Sequence, residues 1–256
     1  MVSPAMSFYP AVRYGRAENP VELDILVPQR QPGSALPVAV FFHGGGWHEG
    51  DRGAGMHPWL NPLLASRGYV TASVTYRLSG VAPWPAQYDD ARAALTWVQS
   101  NIADVGGDPS RIGVWGFSAG AHLAAHLAFR EPGIVKAASL AACPADLRGV
   151  SIDEPHEVTW LMGPSPNPDA IAGVSPITWV TTDAPPTLIV HGTDDHIVEF
   201  DQALALRDAL TAAGGRVELH AIPDGSHEWA DKPPLDPTDP HATFGGVTAD
   251  FFDRVL

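Results

Sequence analysis

The segment Gly116-Phe117-Ser118-Ala119-Gly120 constrains this chain more than any other. It has the form G-x-S-x-G, preceded by a strand-like run at 111–115 and followed by an Ala- and Leu-rich, helix-like run at 119–129. A glycine on each side of a serine lets a strand turn sharply into a helix, because larger side chains would collide across the turn. The serine then sits at a helix N-terminus, where the backbone dipole favours negative charge. His43-Gly44-Gly45-Gly46-Trp47, directly after the apolar run 38–42, adds glycines that can aim backbone N–H groups at a ligand. Together the two segments point to acyl transfer through a serine.

Strand and helix signals alternate from about residue 21 onward, with no linker and no internal repeat. Strands are expected at 21–27, 38–42, 69–76, 111–115, 135–142, 187–190 and 216–222, and helices at 85–101, 119–129, 201–213 and 248–256. Strands separated by helices imply an α/β fold with a mostly parallel central sheet covered on both faces. At 256 residues the chain suits one domain, 1–256. The proline-rich stretch 144–186 breaks the alternation, with one short helix near 156–162. Lying after a central strand on the ligand-binding side, it reads as at most a small, partial lid.

A serine hydroxyl needs a base, a group to hold that base, and donors for the oxyanion. Ser118 is the candidate nucleophile, and the N–H groups of Gly45, Gly46 and Ala119 are the candidate oxyanion donors. The base is expected last in chain order. His227 lies in a polar loop past the final strand, whereas His220 is inside a strand pattern and His241 in a proline-rich tail. The acid is expected at the end of a later strand, where Asp194 and Asp195 both follow 187–190 and Asp146 is a third candidate. Trp47 and Trp229 adjoin the glycine loop and the base, and with Trp84 they are candidates for lining a substrate cleft. His122 and His126 have a spacing that can bind metal, but no H-E-x-x-H accompanies them and a structural role is expected.

The formal charge of −14 argues against a nucleic-acid partner and against anionic membranes. No run approaches the ~18 apolar residues of a membrane span, and no secretory signal is visible. The single cysteine, Cys143, permits no intrachain disulfide and is expected to be buried. These features fit a cytoplasmic protein, and serine chemistry requires no metal or organic cofactor.

With these residues placed, the chain resembles the hormone-sensitive-lipase-like and bacterial feruloyl-esterase-like (BD-FAE-type) branch of the α/β hydrolases. The resemblance spans roughly residues 20–230. It rests on HGGGW-x-x-GD at 43–51, YRLS at 76–79, PAQYDDARAALTWV from Pro85 and GGDPSRIGVWGFSAGAHLAA from Gly106. SPITWV from Ser175, APPTLIVHGTDDHIV from Ala184 and the terminal GSH continue it. It implies an α/β-hydrolase fold and selects Asp195, fourth after His191, as the acid. It also implies a buried structural pair of Arg77 and Asp90. Ala121 in place of a frequent glycine, Glu199 in place of proline and the proline-rich tail depart from the pattern without touching the triad. The implied activity is a serine carboxylesterase for small or aryl esters, using Ser118, Asp195 and His227, with a small-molecule ester as its partner. The alternatives are an arylformamidase acting on N-formylkynurenine, whose branch shares SAGAHL, and a non-catalytic ligand receptor of the same fold.

Overall fold

The apolar runs of the sequence become the middle of an eight-stranded sheet in a computed structural model, which describes residues 6–15, 21–29, 31, 33–53, 60–150, 157–163, 166–227 and 243–256. The strands are β1 (Met6–Arg13), β2 (Glu22–Pro28), β3 (Leu36–Phe42), β4 (Val70–Val74), β5 (Gly107–Phe117), β6 (Val135–Ala141), β7 (Thr187–Gly192) and β8 (Val217–Ile222). Their spatial order is β1-β2-β4-β3-β5-β6-β7-β8. β1 pairs antiparallel with β2, and β2 with β4. Every other pairing is parallel. This is the α/β-hydrolase fold.

The helices are α1 (Leu60–Ser66), α2 (Ala86–Asn101), α3 (Ala119–Arg130), α4 (Glu157–Met162), α5 (Pro168–Val174), α6 (Asp201–Ala212) and α7 (Thr243–Val255). Val38, Val40 and Phe42 of β3 point into one apolar core with residues of α2, α3 and α6. Ala39 and Phe41 point into another, shared with α1 and α7. A strand sandwiched on both faces must be apolar at every position, which is why 38–42 shows no alternation.

The sheet also sets where a ligand can bind. From β3 the chain steps to β4 on one side, and it later returns to β5 on the other. The carboxyl ends of β3 and β5, where the order reverses, therefore leave a crevice between diverging loops. Phe42 and Gly116 are register partners there, so the glycine loop and the serine turn leave the sheet side by side.

Several elements differ from the sequence expectation. β1 is unexpected because its residues are mostly exposed on an edge strand, with Pro10 inside it and a bulge between Tyr9 and Val12. No burial periodicity marks such a strand. α1 is short and holds only Leu60, Leu64 and Ala65 in the core. α7 begins at Thr243, well before 248, because buried Phe244 anchors a turn that Gly245 and Gly246 disfavour. Within 144–186, the expected short helix is α4, and α5 and a 3-10 turn (Pro176–Trp179) follow. Val158, Leu161 and Val174 from this segment pack with Trp47, Ala119 and Leu147, so the segment covers the start of α3. No helix of the described residues is long and apolar enough to cross a membrane.

Candidate active site

The turn from β5 into α3 has little spare volume. A Cβ on Gly116 would lie 2.5 Å from the carbonyl carbon of Gly120. One on Gly120 would strike the Phe42 carbonyl oxygen and lie 2.5 Å from that of His43. Both glycines are therefore required by backbone contact, and the second packs the nucleophile turn directly against the glycine loop. Ser118 has φ 51° and ψ −122°, a conformation costing roughly 1–3 kcal/mol for a non-glycine residue. It is held there by its N–H donating to Ala141 O at 2.8 Å and its carbonyl accepting the His122 N–H at 3.0 Å.

Two loops from the far end of the sheet converge on this serine. His227 Nε2 lies 3.2 Å from Ser118 Oγ, and His227 Nδ1 lies 2.7 Å from Asp195 Oδ2. The other Asp195 oxygen accepts the N–H groups of Ile197 and Val198, each at 2.9 Å. Burial pushes the Asp195 carboxyl upward, but hydrogen bonding to His191, His227 and the Val198 N–H more than reverses this, leaving it well below the usual carboxylate range. An ionised Asp195 fixes the proton of neutral His227 on Nδ1 and leaves Nε2 free to accept one from serine.

The acid and base loops meet through backbone. Asp194 N–H donates to Gly225 O at 2.9 Å, and Thr193 N–H to Ile222 O at 2.9 Å. Thr193 Oγ1 accepts the Asp224 N–H at 2.9 Å. Gly192 touches Gly225 so closely that a Cβ there would lie 2.6 Å from the Gly225 carbonyl carbon.

The glycine loop passes through positive φ at Gly45 (112°), Gly46 (55°) and Trp47 (58°). Its base is fixed by Tyr76, whose hydroxyl donates to His43 O at 2.9 Å and whose ring stacks on the His43 ring at 4.3 Å. Burial pushes His43 down to about 4, so its neutral ring donates from Nδ1 to Gly44 O at 2.7 Å. Ala119 opens α3, and the first N–H groups of a helix have no partner within it.

The BD-FAE family model matches residues 23–210 of this chain. The chain belongs to the BD-FAE family. It is 32% identical over 221 residues to esterase LipQ of Mycobacterium tuberculosis, covering 79% of this chain and 52% of that protein. It is 34% identical over 236 residues to carboxylesterase NlhH of the same species, covering 84% and 73%. The chain thus spans about half the length of some curated relatives that it matches. Among solved structures, a truncated carbohydrate esterase from gut microbiota superposes with a TM-score of 0.84 at 25% identity, covering 98% of this chain and 96% of that one. A hyperthermophilic esterase from the archaeon Pyrobaculum calidifontis gives 0.82 at 25%, covering 98% and 83%.

In this BD-FAE member the three acid candidates are separated by position. Asp194 is exposed beside His196 at 3.2 Å, and Asp146 pairs with Arg148 at 2.6 Å. Only Asp195 reaches His227. Trp47 and Trp84 are part of the cover over α3: Trp47 is 4% exposed, with its indole N–H 3.3 Å from His122 Nδ1, and Trp84 packs on His126 at 5.0 Å. Trp229 and His241 lie outside the described residues. His122 and His126 both donate from Nε2 to Val174 O, at 2.7 and 2.9 Å. Among the described residues no group of three or more His, Cys, Asp or Glu side chains could hold a metal ion. Cys143 is buried just past β6, and Arg77 grips Asp90 through Nε at 2.7 Å, Nη2 at 2.8 Å and its own N–H at 2.9 Å. Two contributors had no role assigned from the sequence. His191, fully buried, donates to Val198 O at 2.7 Å and approaches Asp195 to 3.4 Å. The sequence marks Tyr76 only as the end of the expected strand 69–76 and the first letter of YRLS.

Proposed function

We propose that this chain is a serine carboxylesterase that cleaves small carboxylic esters, aryl esters among them, through an acyl-enzyme. The observation that carries this reading is the continuous chain Ser118 Oγ, His227, Asp195, with links of 3.2 and 2.7 Å. Ser118 Oγ bonds to the ester carbonyl carbon while its proton passes to His227 Nε2. Asp195 holds the imidazole by Nδ1–H and stabilises the imidazolium as it forms. The developing oxyanion is received by the N–H groups of Gly45, Gly46 and Ala119. Collapse breaks the bond to the alcohol oxygen, which takes the proton back from His227. A water, deprotonated by the same nitrogen, then attacks the acyl-enzyme and releases the acid and Ser118.

Relatives named as esterases support the reaction class, and a superposing carbohydrate esterase adds carbohydrate esters to the candidate substrates. A receptor function is disfavoured by the intact base, since His227 reaches the serine. The formamide alternative draws no support from these relatives. The test is a rate panel on wild-type and Ser118→Ala protein covering p-nitrophenyl acetate through decanoate, methyl ferulate, an acetylated xylo-oligosaccharide and N-formylkynurenine. Ester turnover that falls ~10⁴-fold or more in the variant is expected. A variant retaining a tenth of the wild-type rate would sink the proposal, and a kcat/KM led by the formamide would replace ester with amide.

A further inference from the structure

The oxyanion donors of the proposed esterase come from two backbone segments, the glycine loop after β3 and the first turn of α3. Donors must lie ~2.7–3.1 Å from one point to stabilise an oxyanion, so the two segments must keep a fixed register. At the base of the loop, Gly120 against the carbonyls of Phe42 and His43 provides that register. Beyond Gly46 the loop continues through Trp47, whose φ of 58° is one that side-chain-bearing residues rarely adopt.

Trp47 is tied down on two sides. Its carbonyl accepts the Ser79 N–H at 2.8 Å. Its buried indole meets the His122 ring edge-on, with centroids 5.0 Å apart, and directs Nε1–H at His122 Nδ1 at 3.3 Å. His122 belongs to the same turn of α3 as the nucleophile, since its N–H donates to Ser118 O. The tautomer is determined by its other nitrogen: Nε2 faces Val174 O at 2.7 Å and must carry the proton, leaving a lone pair on Nδ1. Burial holds the ring down to about 4, so this acceptor persists at neutral pH. His126, one turn further on, is equally buried and bonds the same carbonyl at 2.9 Å, yet is joined to no part of the glycine loop by a hydrogen bond.

We propose that His122 is a positioning residue for the oxyanion hole: its Nδ1 accepts the Trp47 indole N–H and so locks the Gly45–Gly46 donors in register with the Ala119 donor and Ser118. This deepens the esterase reading and rests on it. The histidine pair thereby divides its labour. His126 only secures the covering segment, whereas His122 links that segment, the nucleophile helix and the oxyanion loop.

The experiment is a double-mutant cycle read with p-nitrophenyl acetate and with a trifluoromethyl ketone, which forms a serine-bound oxyanion. Trp47→Phe removes the donor and keeps the ring, and His122→Leu removes the acceptor. Each is expected to lower kcat about tenfold, the scale of a sub-ångström misplacement, with KM within about twofold. The double variant is expected to be no slower than the worse single one. Ketone affinity should fall in parallel with kcat/KM, and His122→Gln, which retains an acceptor, should recover most of the rate. His126→Leu should leave kcat within about twofold. If His122→Leu does not fold, Trp47→Phe, His122→Gln and His126→Leu carry the test. Additive losses, a loss confined to KM, or an equal loss in His126→Leu would overturn the inference while Ser118-dependent turnover by wild type left the esterase reading standing. No ester turnover by wild type would overturn both.

Discussion

Replacing Gly192 by alanine separates the two loops that build the acid–base pair without touching any reacting group. Gly192 ends β7, three residues before Asp195, and the added Cβ would stand 2.6 Å from the Gly225 carbonyl carbon, two residues before His227. Non-bonded carbons settle at roughly 3.5–4.0 Å, so one loop must retreat by about 1 Å. Both neighbouring groups are backbone, and neither can swing aside as a side chain would. The retreat loads the Asp194 N–H to Gly225 O bond and the 2.7 Å link from His227 to Asp195. A misplacement of about 1 Å in a catalytic group costs ~10²-fold, or about 2.7 kcal/mol of transition-state stabilisation. Overpacking costs a further ~1–3 kcal/mol of stability, a fall of roughly 2–12 °C in Tm for a chain of this size. Steady-state hydrolysis of p-nitrophenyl acetate and a thermal melt followed by circular dichroism measure both effects. The loss should fall mainly on kcat, because the displaced groups, Asp195 and His227, serve proton transfer in the transition state. An alanine protein with kcat within threefold of wild type would refute the claim that this backbone contact sets the acid–base geometry.

Two further outcomes follow from the same structure. Asp195→Asn should cost ~10³–10⁴-fold in kcat, since the amide no longer selects the Nδ1–H tautomer of His227; a loss under tenfold in a folded variant would assign the acid elsewhere. Stability should fall on mild acidification because burial holds His43 and His122 down to about 4 and also holds His126 well below its ordinary value. Below the unfolded value of ~6.5 the unfolded chain binds protons that the folded chain refuses, so stability declines as pH drops from ~6.5 toward ~4. His43 and His122 should each contribute about 2 kcal/mol of that loss by pH 5, and a urea midpoint unchanged between pH 7.5 and 5 would contradict it.

What the sequence determined by itself was whatever is encoded between neighbours along the chain. The serine turn is written in Gly116 and Gly120 because both are needed within one turn of backbone, and the buried β3 is written in five consecutive apolar residues, 38–42. His227 could be singled out because the base comes last in this chain order and its rivals sat in a strand or a proline-rich tail. Tertiary structure decided the rest. Asp194 and Asp195 are adjacent and chemically identical; the family resemblance selects Asp195, and the turn after β7 supplies the physical reason by sending it to His227 and Asp194 to solvent. The edge strand β1 carries no burial pattern because only one neighbour pairs with it. The two histidines of α3 look alike in sequence, yet one meets Trp47 and the other does not. Such contacts join residues far apart in the chain, and they arise when a whole sheet and its helices pack, so no local run of residues encodes them.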